Sequence, residues 1–146
     1  MKESELLLGK IDRIADFCQN RPPEFSEIAE EMVLYLCVLL YGYFEKAVEQ
    51  AVEQAGKELV QHHNFKPEEL KKYMKKYSPK WERALKREFN NDNQMKDALE
   101  TLVANRNQVA HGGSTQLTIK EFRKKEKKIY ALEELISDIV KKHPVH

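Results

Sequence analysis

The stretch that most constrains the fold runs from Met32 to Phe44, where 13 residues are apolar with little interruption. It lies inside a longer segment, 24–62, which is predicted to form one long helix after a proline pair and before Asn64 breaks the pattern. A helix that is apolar on nearly all sides must be covered by other elements. The stretch is too short to cross a bilayer, which needs about 20 apolar residues. The sequence therefore predicts a central helix inside a bundle.

Five further helices are predicted around this central one, over residues 4–19, 67–77, 79–89, 93–111 and about 24 residues that follow Thr118. Ser78 before a proline is typical of a helix start, and Thr118 with Glu121 matches a capping box. Gly112 or Gly113 is expected to close the helix over 93–111 in the left-handed conformation. The predicted class is all-α.

The composition agrees with an all-α fold and bounds the class of protein. Gly and Pro are scarce, at five residues each, while charged residues make up 34% of the 146 residues. A chain of this length is expected to form a single domain over residues 1–146. Cys18 and Cys37 have no metal-binding or redox spacing, so we expect buried free thiols in a reducing compartment. The charged start does not resemble a signal peptide, and these features predict a cytoplasmic protein.

Positive charge is concentrated in the middle of the chain. Residues 1–62 carry 6 basic and 12 acidic side chains, a net charge of −6, whereas residues 63–88 carry 9 basic and 4 acidic ones, a net charge of +5. A polyanion is therefore expected to approach this middle region. Five lysines that interleave with aromatic residues there are candidate RNA-phosphate contacts: Lys71, Lys72, Lys75, Lys76 and Lys80.

The aromatic residues of the same basic segment leave two interpretations open. Tyr73, Tyr77 and Trp81 are spaced four residues apart. Either they stack on RNA bases, or they pack inward as the apolar face of a short helix while the lysines stay solvated. We favour inward packing. A second basic run, 123–128, is interpreted as a solvated helix face.

The candidate catalytic residues lie together at the predicted C-terminal end of the fifth helix. Arg106, Asn107 and His111 occur within six residues. Asn107 and His111 are four residues apart and share a helix face. The guanidinium of Arg106 suits a phosphate, and the imidazole of His111 suits proton transfer. Together they suit metal-free RNA cleavage, in which a 2′-hydroxyl attacks the neighbouring phosphate.

Taken alone, these residues leave alternatives open. The arginine and histidine also suit structural roles, in a surface ion pair and a helix cap. Glu45 is either the first residue of the exposed end of the central helix or an acid held near Arg106. Tyr41, one turn earlier, is a candidate to line the same groove. His62 and His63 have no Cys, Asp or Glu at ligand spacing nearby, so neither a metal nor another cofactor is predicted.

The sequence Arg106-Asn107-x-x-Ala110-His111-Gly112, near the end of the penultimate long helix, resembles the motif of the HEPN superfamily (higher eukaryotes and prokaryotes nucleotide-binding). Its nuclease members carry Arg-x(4–6)-His, often with a polar residue directly after the arginine, and Asn107 fills that place. The run from Leu39 to Glu45 looks like the second-helix segment of the small RiboL-PSP-HEPN and MAE-28990-like members. There an aromatic pair precedes an acidic residue that faces the active-site groove, and Glu45 matches it.

The resemblance implies an up-and-down bundle of four to six helices that forms a homodimer, with a composite, metal-free RNA-cleaving site at the dimer interface. Arg106 would hold the scissile phosphate and His111 would transfer protons. Asn107 would position one of these groups, and Glu45 would support the arrangement. Such proteins are similar in role to toxins of toxin–antitoxin pairs, phage-defence effectors and RNA-processing enzymes. The implied partners are RNA, a second copy of the chain and an antitoxin protein, without a membrane.

We therefore predict a metal-independent endoribonuclease of the HEPN type. The alternative is a non-catalytic module of the same fold that binds RNA, a nucleotide or a protein partner. A third interpretation is a helical dimerisation protein in which Arg106 and His111 have structural roles.

Overall fold

The computed structural model describes residues 2–110, 115 and 117–144. Within this part of the chain there are six α-helices, one short 3₁₀-helix and no β-strand. The α-helices are α1 (Lys2–Gln19), α2 (Ser26–Gln54), α3 (Pro67–Tyr77), α4 (Pro79–Asn91), α5 (Asn93–Ala110) and α6 (Ile119–Lys142), and the 3₁₀-helix spans Pro23–Phe25. The predicted all-α fold is confirmed.

α2 is the central helix, as its apolar sequence predicts. α1, α5 and α6 all pack along it, while α3 and α4 pack mainly on each other. α2 contributes 10 buried side chains to the core, and Leu36, Leu40 and Phe44 are at most 1% exposed. Burial of one such side chain contributes about 1.5–3 kcal/mol to folding. The bundle is therefore organised around α2, whose inner face forms much of the core.

The starts of α4 and α6 follow from local sequence. The Ser78 hydroxyl accepts a hydrogen bond from the Lys80 backbone N–H at 3.2 Å, which caps α4. Thr118 and Glu121 form the predicted capping box, since each side chain accepts from the other residue's backbone N–H. α4 continues to Asn91, two residues beyond its predicted end. Gly112 and Gly113, expected to close α5, lie outside the described residues.

The prediction of one helix over 24–62 is wrong at its C-terminal end, because α2 ends at Gln54. Gly56 has a φ of +79°, the left-handed conformation that ends helices. Its N–H donates to the Glu53 carbonyl at 2.9 Å, and the Lys57 N–H donates to the Val52 carbonyl at 3.3 Å. This pair of hydrogen bonds is a Schellman motif. The sequence did not indicate it because the residues on either side of Gly56 favour helix.

The segment that follows Gly56, residues 57–66, has no helix and folds back along α2. Phe65 is completely buried and its ring meets those of Phe44 and Tyr73. The Tyr77 hydroxyl holds the first half of the segment against α3, since it donates to the Glu58 carbonyl and accepts from the Val60 N–H, both at 2.9 Å. The segment therefore brings the Phe65 backbone against α2.

The interpretation of residues 123–128 as a solvated face is wrong for part of the run. The Arg123 side chain is only 19% exposed and pairs with Asp12 at 3.0 Å and Asp16 at 2.8 Å, both on α1. Glu126 is 5% exposed and accepts hydrogen bonds from Arg123 and Tyr130. These positions of α6 face α1, so packing and ion pairing replace solvation.

Both cysteines are buried free thiols, as predicted. Burial raises the pKa of Cys37 to about 12 and also raises the pKa of Cys18, so both remain protonated at neutral pH. None of the described helices combines the length and apolar character that a bilayer-spanning segment requires.

Candidate active site

Arg106 lies near the C-terminal end of α5, beside the middle of α2. Its guanidinium carbon is 4.8 Å from the centre of the Tyr41 ring. A cation over an aromatic face is attracted by the electrons of the ring. Tyr41 is 2% exposed, whereas Arg106 is exposed. The guanidinium is therefore restrained on one face by a rigid, buried ring and stays accessible to a ligand on its other side.

The Tyr41 hydroxyl makes two hydrogen bonds, one as donor and one as acceptor. It donates to Glu45 Oε2 at 2.9 Å and accepts from the Phe65 backbone N–H at 2.9 Å. Burial raises the pKa of Tyr41 well above its ordinary value, and the Glu45 carboxylate raises it further, while the Phe65 N–H and Arg106 act in the opposite direction. Tyr41 is consequently neutral and remains a hydrogen-bond donor to Glu45.

Glu45 is half-buried, one helical turn beyond Tyr41 on α2. Of the two interpretations left open for it, the structure favours an acid held in the neighbourhood of Arg106. The link between these two described residues runs through Tyr41 rather than through a direct ion pair. Glu45 is thus engaged through Oε2 by the Tyr41 hydroxyl rather than by the guanidinium.

Asn107 is half-buried beside Arg106, and its Oδ1 accepts from Arg106 Nη1 at 3.4 Å, a long hydrogen bond. The structure thus connects Arg106 and Glu45 through Tyr41, and Asn107 contacts Arg106. His111 lies outside the described residues, so its place relative to the arginine stays a prediction.

A hydrogen bond joins Asn105 to Thr115, two residues on either side of the segment that contains His111. The sequence analysis did not identify either residue. Asn105 on α5 donates from Nδ2 to the Thr101 carbonyl at 2.8 Å, and its Oδ1 accepts from the Thr115 hydroxyl. The same hydroxyl accepts from the Leu117 N–H at 2.9 Å. Thr115 therefore contacts α5, the helix that ends at Ala110. An asparagine one position before Arg106, at a helix end, was the available signal.

The five candidate lysines lie on α3 and at the start of α4, and four of them contact acidic side chains or a backbone carbonyl close by. Lys71 pairs with Glu68 at 2.9 Å and Lys72 with Glu69 at 3.5 Å, both three residues apart on α3. The remaining pairings are to α4 and to the segment before α3: Lys75 with Glu82 at 3.9 Å, and Lys76 with the Gln61 carbonyl at 3.2 Å. Lys80 is exposed. These contacts do not bring the lysines into the group around Arg106.

The aromatic residues between these lysines pack inward, as favoured. Tyr73 and Trp81 are at most 1% exposed. The Trp81 indole N–H donates to the His143 carbonyl at 2.7 Å, and Tyr77 holds the segment before α3. These rings are therefore part of the core. Four of the lysines are exposed and available to a nucleic acid (Lys72, Lys75, Lys76 and Lys80), whereas the Lys71 side chain is only 19% exposed.

Within the part of the chain that is described, no group of three or more His, Cys, Asp or Glu side chains is placed to hold a metal ion. His62 stacks on the Phe65 ring with centres 4.0 Å apart and lies 3.5 Å from Glu49. Its contacts explain its position without a ligand.

The all-α bundle formed by the described residues is consistent with a HEPN-like domain. A model of the RiboL-PSP-HEPN family matches residues 7–142, which include the whole candidate site, and the chain belongs to that family. Comparisons with curated proteins and with solved structures gave no match.

Proposed function

We propose that the protein is a metal-independent endoribonuclease of the HEPN type, with a composite Arg/His site at a homodimer interface. The observation that carries the proposal is the position of Arg106, whose exposed guanidinium rests 4.8 Å from the Tyr41 ring. An exposed arginine that is restrained by a ring and forms no ion pair with another described side chain suits a phosphate, which it can hold with two parallel hydrogen bonds. Membership of the RiboL-PSP-HEPN family supports an RNA-related activity.

The chemistry requires an attacking 2′-hydroxyl and no metal. The 2′-oxygen bonds to the neighbouring phosphorus, the bond from phosphorus to the 5′-oxygen breaks, and the products carry a 2′,3′-cyclic phosphate and a 5′-hydroxyl. His111 removes the proton from the 2′-hydroxyl or delivers one to the leaving oxygen. Two copies of the chain supply two histidines, so one acts as base while the other acts as acid. Arg106 neutralises the charge that develops on the phosphoryl oxygens.

Asn107 and Glu45 are positioning residues in this proposal. Asn107 orients the phosphate or the imidazole. Glu45 acts through Tyr41, whose hydroxyl donates a hydrogen bond to the Glu45 carboxylate at 2.9 Å. The exposed lysines of α3 and α4 guide RNA by their charge, an effect that weakens as salt rises. In the cell, the protein acts as a cytoplasmic toxin or phage-defence effector that an antitoxin protein inhibits.

The test is cleavage of a mixed RNA pool in the presence of EDTA. Wild-type protein is compared with His111→Ala and with His143→Ala. His143 is a matched control because it follows α6 and its hydrogen bonds to described residues use its backbone: the N–H donates to the Ile139 carbonyl and the carbonyl accepts from Trp81. We expect wild type and His143→Ala to cut RNA and leave 2′,3′-cyclic phosphate ends. His111→Ala is expected to be slower by at least about a hundredfold.

Cleavage by His111→Ala at the wild-type rate would contradict the mechanism. Intact RNA in all three samples, with salt-sensitive RNA binding, would favour the non-catalytic alternative.

A further inference from the structure

A cavity of about 330 Å³ lies where the end of α1, the first turns of α2 and the start of α6 meet. Pockets that take small molecules begin at about 300 Å³, so the cavity has room for a small ligand. Arg106 and Tyr41 do not line it, and it is therefore separate from the candidate active site. Its described walls carry one cationic side chain, that of Arg21, and one acidic side chain, that of Glu30.

The guanidinium of Arg21 is held at the wall of the cavity by the end of α1. Arg21 is partly buried and follows α1, which ends at Gln19. Its Nη1 donates to the Cys18 carbonyl at 2.7 Å. Arginine side chains near a helix C-terminus can bond the last carbonyls in this way. The guanidinium therefore has a fixed position, and one part of it is occupied.

The other edge of the same guanidinium has no partner among the described residues. Arg21 Nε is buried without a hydrogen-bond partner, and neither Nε nor Nη2 pairs with a carboxylate of the described chain. These two nitrogens point their N–H groups in parallel, which is the geometry that holds both oxygens of a carboxylate. A buried donor that lacks an acceptor is costly. An oxyanion in the cavity would supply the missing acceptor.

The two hydroxyl groups that line the cavity are already used. The Thr115 hydroxyl donates to Asn105, and the Thr118 hydroxyl donates to Glu121 at 2.9 Å. Each of the two also accepts a backbone N–H. Among the described side chains of the cavity, Arg21 is therefore the one whose N–H groups are left for a ligand.

The remaining described walls are apolar. Ala29 and Val33 are at most 4% exposed, and Leu117 and Ile119 pack partly buried against the core. Apolar walls with few polar groups are typical of sites for small organic molecules. Exposed Glu30 opposes a ligand with a double negative charge, since a single cation is there to offset it. The cavity therefore suits one negative charge on an apolar body.

We propose that this cavity binds a small aliphatic carboxylic acid in its ionised form. The carboxylate accepts hydrogen bonds from Nε and Nη2 of Arg21, and the aliphatic chain lies against Ala29, Val33 and Leu117. A role of Arg21 as a cap of α1 explains its bond to Cys18 but explains neither the buried Nε nor the cavity beside it. Binding of this ligand does not depend on RNA cleavage, because no residue of the proposed nuclease site takes part.

The first test titrates hexanoate into the wild-type protein and measures the heat of binding. Three further titrants separate the features of the ligand: acetate lacks the aliphatic chain, hexanamide lacks the charge, and inorganic phosphate is a different oxyanion. We expect hexanoate to bind once per chain, and each of the other three to bind at least about tenfold more weakly. No binding of hexanoate, or an equal affinity for any of the other three, would overturn the proposal.

A charge-removing variant tests the role of Arg21. Arg21→Gln removes the charge and the parallel N–H pair, so we expect the affinity for hexanoate to fall at least about tenfold. Arg13→Gln is the matched control, since Arg13 is an exposed arginine of α1 that does not line the cavity. It should bind hexanoate as wild type does. Wild-type affinity in Arg21→Gln would show that the guanidinium does not hold the ligand.

A second variant fills the cavity and leaves the arginine in place. Ala29→Leu adds volume to a buried wall, so a folded Ala29→Leu protein should also bind hexanoate at least about tenfold more weakly. This variant decides the matter if Arg21→Gln, which also loses a cap of α1, fails to fold. Unchanged hexanoate affinity in folded Ala29→Leu would exclude the cavity as the site.

The amide signals of the wild-type protein locate the ligand directly. In nuclear magnetic resonance spectra that correlate amide protons with nitrogen, hexanoate should shift the signals of Arg21 and Thr118 and leave those of Tyr41 and Arg106 unchanged. Shifts confined to Tyr41 and Arg106 would mean that the anion binds at the candidate active site. That result would overturn the cavity as a separate site and leave the proposed nuclease untouched.

Discussion

At the scale of single residues, Tyr41 connects the side chains of the candidate site. Its ring supports Arg106, its hydroxyl donates to Glu45, and it accepts from the Phe65 N–H. Helical spacing predicts that Tyr41 and Glu45 share a face, because it is a property of one helix. The sequence does not reveal that Arg106 lies over this ring rather than against the carboxylate, since that contact depends on how α5 packs on α2.

Replacement of Tyr41 by phenylalanine tests this arrangement. The ring remains, but the Phe65 N–H loses its acceptor, so we expect a loss of about 1–2 kcal/mol in unfolding free energy. The freed Glu45 carboxylate can then compete with phosphate for Arg106, so RNA cleavage should slow by about tenfold. Denaturant unfolding and cleavage rates measure the two effects.

Tyr43→Phe is the matched control for that variant. Tyr43 lies on the same helix and donates to Glu133 at 2.6 Å, a carboxylate on α6 away from Arg106. Its loss should lower stability without changing the cleavage rate. Equal cleavage by the two variants would show that the Tyr41 hydroxyl does not act on the site.

At the scale of helices, most starts were predictable and one end was not. A proline or a hydroxyl cap at the start of a helix acts locally, so the beginnings of α3, α4 and α6 follow from sequence. The end of α2 at Gln54 was missed because good helix formers continue past it, and the decisive signal was Gly56. The apolar spacing of α2 predicted a central helix but not that Ile28 and Tyr35 stay exposed in the described structure.

The helix end at Gly56 can be tested by substitution. Gly56→Ala forces a Cβ into a φ of +79°, and we expect a loss of about 1 kcal/mol. Gly9→Ala, inside α1, should instead raise stability by up to about 1 kcal/mol, because alanine favours helix and its Cβ fits. Thermal unfolding of both variants distinguishes them. The same sign of change for both would mean that Gly56 has no special conformational role.

At the scale of the whole molecule, α1 is fastened to α6 by a network centred on Arg123. This arginine joins Asp12 and Asp16 of α1 to Glu126, whose carboxylate is nearly buried. The run 123–128 reads as a solvated face because a basic sequence does not show which neighbour will approach it. Only the packing of α1 against α6 turns part of the run into a contact between helices.

Arg123→Ala should therefore destabilise the bundle more than its exposed ion pairs suggest. The aspartates are mostly solvated and contribute little, but Glu126 would keep a buried charge with Tyr130 as its remaining partner. We expect a loss of about 2–3 kcal/mol in unfolding free energy. Lys124→Ala, on the exposed side of the same helix, should change stability by less than about 0.5 kcal/mol. Similar values for the two variants would contradict a structural role for Arg123.

The central claim is RNA cleavage by attack of a 2′-hydroxyl at a site that contains Arg106 and His111. The most direct measurement uses two versions of one RNA in EDTA, identical except for a 2′-deoxynucleotide on the 5′ side of the mapped cleavage site. Wild type is expected to cut the unmodified RNA there and to leave the modified bond intact. Equal cleavage of both would mean that water attacks the phosphate, and the proposed mechanism would be wrong.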